Sequence, residues 1–228
     1  MCVVGAGSWG TTVASIVAHN AETTLWARRE DLVEEINSRH TNSTYLPEAT
    51  LPDSLRASTD LDELIARADV VAMAVPSQGF RDVAARVATS IGKTTPVVSL
   101  SKGLERSTLM RMSQVLAESM PGNPVAVLSG PNLAREILAG QPAASVVACA
   151  DDAVATTLQG LFSRPTFRLY TNPDVVGCEI GGVVKNVIAI AAGIAQGFGF
   201  GDNTKATLVT RGLAEMTRLG VAMGANPL

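Results

Sequence analysis

The chain predicts an α/β fold: a Rossmann-like, doubly wound, mostly parallel sheet followed by an all-α segment. Three observations carry that expectation. Short apolar runs alternate with amphipathic stretches from Met1 to Tyr170, the pattern of a sheet covered by helices on both faces. An apolar strand runs directly into Gly5-Ala6-Gly7-Ser8-Trp9-Gly10, a G-x-G-x-x-G turn with helical sequence behind it. Beyond Tyr170 the strand pattern stops and long apolar helical stretches take over.

In order, the expected strands are Met1–Val4, Thr23–Trp26, Val70–Val75, Val97–Leu100, Val125–Leu128, Ser145–Ala148 and Phe167–Tyr170. The helical segments between them are Thr11–Ala18, Leu32–Ser38, Leu61–Arg67, Phe80–Ser90, Thr108–Ser119 and Ala153–Phe162. Asn42–Asp53, holding Pro47 and Pro52, reads as a loop. Asn172-Pro173-Asp174 reads as a helix start, with Asn172 as N-cap and proline in the first turn. One helix then extends to about Gln196, and a second runs from about Asp202 to Met223 after a glycine-rich turn. These signals divide the chain into 1–172 and 173–228. Two helices bury too little on their own, so the second unit is expected to be incomplete: the chain is truncated or pairs with another copy.

The 228 residues are 46% hydrophobic and 17% charged, with a net charge of −3, which excludes a basic nucleic-acid surface. No uncharged apolar run reaches the roughly 18 residues of a membrane helix; the best candidate, Val183–Ala195, is interrupted by Lys185. Because the glycine turn begins at Gly5, no leader peptide is expected. Cys2, Cys149 and Cys178 fit neither a disulfide framework nor a zinc site, and point to a reducing cytoplasm. The two histidines, His19 and His40, have no partners at metal-ligand spacing and read as solvated. No metal site is expected, and acid–base chemistry falls to lysine.

The glycine turn fits a dinucleotide pyrophosphate. Gly5 permits the tight turn, Gly7 lets backbone approach the phosphates, and Gly10 lets the helix pack on the strand. The helix N-terminus offers unpaired N–H groups to the anion. Where an NAD site carries an acid, after the second strand, this chain has Arg28-Arg29, which suits a 2′-phosphate and favours NADP over NAD. Pro76-Ser77-Gln78 borders the same crevice. Lys102, after the Val97–Leu100 strand, points its ammonium there, and Ser129-Gly130-Pro131-Asn132 follows the next strand. Within the apolar helix, Gly181-Gly182 destabilises the helix unless something approaches closely. Lys185 and Asn186 are polar in apolar company, and a desolvated Lys185 would have the lowered pKa of a general acid.

Together these residues resemble the NAD(P)-dependent glycerol-3-phosphate dehydrogenase family, bacterial type. The resemblance runs through GAGSWGTTVA, LWARR, YLP, VPS, LSKGLE, LSGPNLAREI, NPDVVGCEIGGVVKNVIAIAAGIAQGFGFGDNTKA and TRGLAEMTRLG. It implies reversible hydride transfer between a nicotinamide and C2 of dihydroxyacetone phosphate, giving sn-glycerol 3-phosphate for phospholipid synthesis. It makes Lys185 the catalytic lysine, Lys102 a contact to substrate and cofactor, and Asn186 a substrate-orienting neighbour. Ser8, Trp9, Arg28 and Ala134 match cofactor positions, with Arg29, Tyr45 and Pro76 added; Gly130 and Asn132 match substrate positions.

The resemblance also implies a homodimer. Asn132 stands where many relatives have Ser or Thr. Family members continue past the position of Leu228 with Gly-Asp and Ser-Arg-Asn segments that supply a second acid and a phosphate-gripping arginine, and residues 1–228 do not match them. Asp202 belongs to a different segment. The chain alone is therefore expected to turn over poorly. The alternatives are a non-catalytic dinucleotide-binding module and a reductase of another small keto acid or phosphate.

Overall fold

The computed structural model describes residues 1–227. Its strands are β1 (Cys2–Val4), β2 (Thr24–Trp26), β3 (Thr41–Asn42), β4 (Leu46–Thr50), β5 (Arg56–Ser58), β6 (Val71–Met73), β7 (Val97–Ser99), β8 (Val125–Ser129), β9 (Ala143–Cys149) and β10 (Phe167–Asn172). Its helices are α1 (Ser8–Val17), α2 (Glu30–Arg39), α3 (Leu61–Ala66), α4 (Phe80–Ala88), α5 (Met112–Ser119), α6 (Ala134–Leu138), α7 (Asp152–Phe162), α8 (Val175–Gly197) and α9 (Asp202–Ala222).

Eight strands form one sheet in the order β10-β9-β8-β7-β6-β1-β2-β5. Six run parallel, from β8 through β5; β9 pairs antiparallel with β8, and β10 runs parallel to β9. Both faces are buried, and the side-chain period of two assigns each residue to a face. Val3, Leu25, Ala72 and Val98 pack toward Val13 and Val17 of α1, Ile36 of α2 and Phe162 of α7. Val4, Val71, Met73 and Val97 pack toward Leu61, Phe80 and Leu116 of α3, α4 and α5. Each such large side chain, removed from water, contributes about 1.5–3 kcal/mol. The Cys2 thiol lies in the second layer, where burial pushes its pKa up to about 12.

Three local expectations are corrected. The segment read as a loop, 42–53, contains the β3–β4 hairpin, and the short edge strand β5 follows it. Asn42 pins that hairpin to the glycine turn, its Nδ2 donating to Ala6 O at 3.1 Å and Thr11 Oγ1 at 2.8 Å. The N-cap of α8 is Asp174, which accepts from Gly177 N at 2.8 Å; Asn172 ends β10, and its Oδ1 accepts from Asp174 N at 2.8 Å. His40 is half-buried, caps α2 in the left-handed region at φ 52°, and lies 3.8 Å from Asp53.

Helices α8 and α9 pack on each other, and α8 also packs on β8 and β9. Val187, Ile190, Ile194 and Phe198 on α8, with Val209 and Leu213 on α9, remain exposed. By length and composition alone, the 23-residue α8, which holds an 18-residue stretch of mean hydropathy 1.7, is long and apolar enough to cross a membrane.

Candidate active site at the carboxyl edge of the sheet

The glycine turn leaves β1 at the carboxyl edge of the parallel strands, where ligands bind in this architecture. Gly5 has φ 117°, and a Cβ there would lie 2.6 Å from Ala74 O. A Cβ on Gly10 would lie 1.9 Å from Gly5 O, so only glycine lets α1 pack this closely. Over Gly7 the space is open, with nothing within 4 Å of an added Cβ. Gly7 is also the α1 N-cap, without a side-chain cap and without an acid in the first turn. The free N–H groups and the helix dipole thus face open space, as an anion requires.

Around this turn stand most of the residues singled out by sequence. Ser8 is exposed at the start of α1. Trp9 turns inward, its ring edge-on to Phe167 at 6.4 Å, and its buried Nε1 has no partner among the described residues. After β2, Arg28 is exposed and makes no hydrogen bond or ion pair among the described residues; Arg29 Nε donates to Asp31 Oδ1 at 3.0 Å. The arginine pair therefore splits into one free and one committed cation. Tyr45 lies exposed in the β3–β4 turn, and Pro76 precedes a short 3₁₀ turn after β6.

Lys102 follows β7. Its Nζ donates to Gly130 O, beyond the end of β8, at 2.8 Å. Burial pushes its pKa below the usual lysine value, and nearby Lys185 pushes the same way. The neighbouring Gly103 adopts φ 147°, and a Cβ there would lie 2.5 Å from Ser77 Oγ, so glycine allows this loop to close on the Pro76 turn. Arg81 of α4 anchors the loop through Glu105, Nε to Oε1 at 2.8 Å, which holds the Glu105 carboxyl down to about 2.

Lys185 reaches this edge on α8. It is half-buried, and its Nζ donates to Asn186 Oδ1 at 2.8 Å. Sequence reasoning assigned the enclosed ammonium to Lys185; the ammonium that the fold encloses is Lys102. Of the two glycines, Gly182 is the one that needs to be small: its absent Cβ would lie 2.9 Å from Ser129 Oγ and under 4 Å from the Lys102 side chain, whereas Gly181 faces Met216 Sδ at an ordinary 3.8 Å. Among the described residues no three metal-ligating side chains cluster.

Asn132 does not cap α6, whose N-cap is Leu133. Its Oδ1 accepts from Ser145 Oγ at 2.5 Å, and its buried Nδ2 has no partner among the described residues. A buried donor left free is costly, and a ligand acceptor would satisfy it. Gly130 is held close to the same serine, where a Cβ would lie 2.5 Å from Ser145 Oγ. Ala134 opens α6. The antiparallel β9 brings Ser145 here, because its amino end lies beside the carboxyl end of β8.

Sequence reasoning missed the anchor of α8. Glu179 is buried, accepting from Arg111 Nη1 at 2.6 Å and from Ser113 N at 2.9 Å, with Ser113 Oγ as a third donor. A carboxylate inside an apolar helix, six positions before Lys185, was the available signal. Ser101, Lys102, Ser129, Glu179 and Val183 line a small pocket between α8 and the strand ends.

A glycine turn on an open parallel sheet, with Lys102 beyond β7 and Lys185 of α8 at the same edge, defines a Rossmann-type dinucleotide-dependent oxidoreductase. Comparison with known proteins narrows the class. The profile of the NAD-dependent glycerol-3-phosphate dehydrogenase N-terminus matches residues 1–155, and that of its C-terminus matches 174–228. The chain is 56% identical to glycerol-3-phosphate dehydrogenase [NAD(P)+] 2 of Sphingopyxis alaskensis over 99% of its own length and 68% of the relative's. It is 54% identical to the Corynebacterium diphtheriae glycerol-3-phosphate dehydrogenase [NAD(P)+], over 99% and 69%. It superposes on the crystal structure of the Coxiella burnetii glycerol-3-phosphate dehydrogenase with a TM-score of 0.91 and 35% identity, covering 99% of this chain and 69% of that one. The chain belongs to the NAD-dependent glycerol-3-phosphate dehydrogenase family.

Proposed function

We propose that this chain supplies the dinucleotide cradle and the two lysines for the reversible, NAD(P)H-dependent reduction of dihydroxyacetone phosphate to sn-glycerol 3-phosphate, a precursor for phospholipids, and that residues 1–228 alone turn over poorly. The observation that supports it most is the placing of Lys102 and Lys185 at one edge, close enough for the Lys185 charge to lower the Lys102 pKa. When bound, the nicotinamide supplies a hydride to C2 of the substrate. The open Gly7 cradle and the uncapped α1 N-terminus fit its pyrophosphate.

In this reading Lys185 Nζ gives its proton to the carbonyl oxygen as a C–H bond forms at C2, and regains one from solvent. In the reverse direction it takes the hydroxyl proton. Lys102 holds a positive charge against the developing alkoxide, where enclosure strengthens the interaction. Asn186 orients Lys185, and Gly130 with Asn132 contacts the substrate. Ser8, Trp9, Arg28, Tyr45, Pro76 and Ala134 border the cofactor; free Arg28 favours the 2′-phosphate of NADP over NAD, with Arg29 contributing less.

We place the domain boundary near residue 172, where β10 gives way to α8. The exposed apolar face of α8 and α9 supports a homodimer joined there rather than membrane insertion, since Glu179 and Gly182 seat α8 on the sheet domain. The free thiols of Cys2, Cys149 and Cys178 support the cytoplasm.

The test follows NADPH absorbance with dihydroxyacetone phosphate for this chain and for a longer form carrying the family's Gly-Asp and Ser-Arg-Asn segments, each with and without Lys185→Ala. Turnover that falls by about 10²–10⁴, the range of a lost general acid, with NADPH binding unchanged, supports the assignment. An unchanged rate would remove Lys185 from the chemistry. Cofactor binding without turnover in the longer form would favour a binding module.

A further inference from the structure

A second cleft, of about 300 Å³, lies along the far half of α1. The helix holds ten residues, about 15 Å of rise, so its end is well removed from the glycine turn. Ile16, Leu51, Ile137 and Phe167 form apolar walls. The polar rim carries His19, Arg164 and Thr166, and among the described residues no carboxylate lines the cleft. Arg164 is half-buried, and its guanidinium makes no hydrogen bond or ion pair among the described residues. It is not loosely held: its backbone N donates to Phe167 O at 2.9 Å and its O accepts from Phe167 N at 3.0 Å, closing a tight turn around Pro165. Asn20 Nδ2 ties the end of α1 to Leu161 O and Ser163 O, both at 2.9 Å, which fixes His19 beside that turn. Partial burial lowers the His19 pKa, and the Arg164 charge lowers it further.

A rigid, apolar-walled cleft with an unneutralised guanidinium at its rim has the make-up of a ligand site, and arginine's donor fork matches carboxylate and phosphate. We propose that this cleft binds a small amphipathic anion, a short apolar body with a carboxylate or phosphate head, the head on Arg164 and His19 and the body against Ile16, Leu51 and Phe167. Phe167 also packs on Trp9 beside the glycine turn, so the occupant would share a wall with the dinucleotide region.

The test is calorimetric titration of the chain, without dinucleotide, with octanoate, octyl phosphate, inorganic phosphate and octanol. Octanoate or octyl phosphate should bind at one site, and the tighter of the two identifies the head. Inorganic phosphate and octanol should bind about tenfold more weakly or not at all. Arg164→Gln and, independently, Thr166→Asp should each weaken the amphiphile about tenfold or more, with melting temperature confirming the fold. Neither amphiphile binding, octanol binding as well as octanoate, or folded variants that bind as the wild type does would each overturn the proposal.

Discussion

Arg111, preceding α5, and Glu179, on α8, form a buried ion pair with Nη1 2.6 Å from Oε2 and side chains only 11% and 5% exposed. It is the polar tie between the helix that carries Lys185 and the sheet that carries Lys102. Its worth lies in registry more than in raw stability, because desolvating two charges offsets most of their attraction. Glu179 accepts three donors here, so its removal strands a cation and two neutral groups.

Glu179→Ala should therefore cost about 3–5 kcal/mol in urea denaturation, the range for breaking one side of a buried pair. Glu179→Gln keeps an acceptor for Ser113 N and should cost less. As a positioning residue, Glu179 should show itself in turnover: in Glu179→Gln, kcat falls while the KM for NADPH stays near wild type. A loss of stability with unchanged kcat would make the pair purely structural.

In the proposed reading, cofactor choice turns on the two arginines after β2. Arg28 makes no hydrogen bond or ion pair among the described residues, and Arg29 is engaged with Asp31. Arg28→Ala should raise the KM for NADPH about tenfold or more, the loss of one charge-assisted contact, and leave the KM for NADH nearly unchanged. Arg29→Ala should have a smaller effect on both. Equal effects of Arg28→Ala on the two cofactors would remove the 2′-phosphate assignment.

The pH dependence follows from Lys102. Its pKa in the fold lies below the ordinary lysine value of 10.5, through burial first and Lys185 second. The unfolded chain thus holds this proton more tightly, and between the folded and unfolded values stability rises with pH. Below the folded value the cost of enclosing the charge is fully present. Lys102→Met removes that cost, so it should be more stable than wild type at neutral pH, with the advantage shrinking as pH rises toward 10.5. Denaturation midpoints across that range check the sign. Turnover by the wild type should likewise decline on the alkaline side at a pH below the normal lysine range.

Much of this arrangement was legible because its signals are local. Val3-Val4 before Gly5, or Val97-Val98 before Lys102, announces a buried strand and what stands at its end. The direction of β9 was not legible: Ser145–Ala148 is equally apolar either way, and only pairing with β8 makes it antiparallel and delivers Ser145 to Asn132. Strand β5 is three residues with an exposed arginine, too short for periodicity to register. The Arg111–Glu179 pair joins residues 68 apart in the chain, a distance over which sequence pattern is silent. The enclosure of Lys102 rather than Lys185 arises from how closely α8 approaches β8, which no single segment encodes.

That approach depends on Gly182. An alanine would gain about 1 kcal/mol of helix propensity, yet its Cβ would sit 2.9 Å from Ser129 Oγ, closer than ordinary contact. The obstacle is the end of a small side chain, and α8 can also yield outward toward its exposed face. Gly182→Ala should therefore leave stability within about 1 kcal/mol of wild type while moving Lys185 relative to Lys102. Because small misplacements of a reacting group can cost about 10² in rate, kcat should fall well out of proportion to the change in stability. Removing the obstacle supplies the control: adding Ser129→Ala should restore part of the lost turnover. If Gly182→Ala turns over as wild type does, or if Ser129→Ala gives no recovery, the spacing of α8 from β8 is not what sets the geometry of the two lysines.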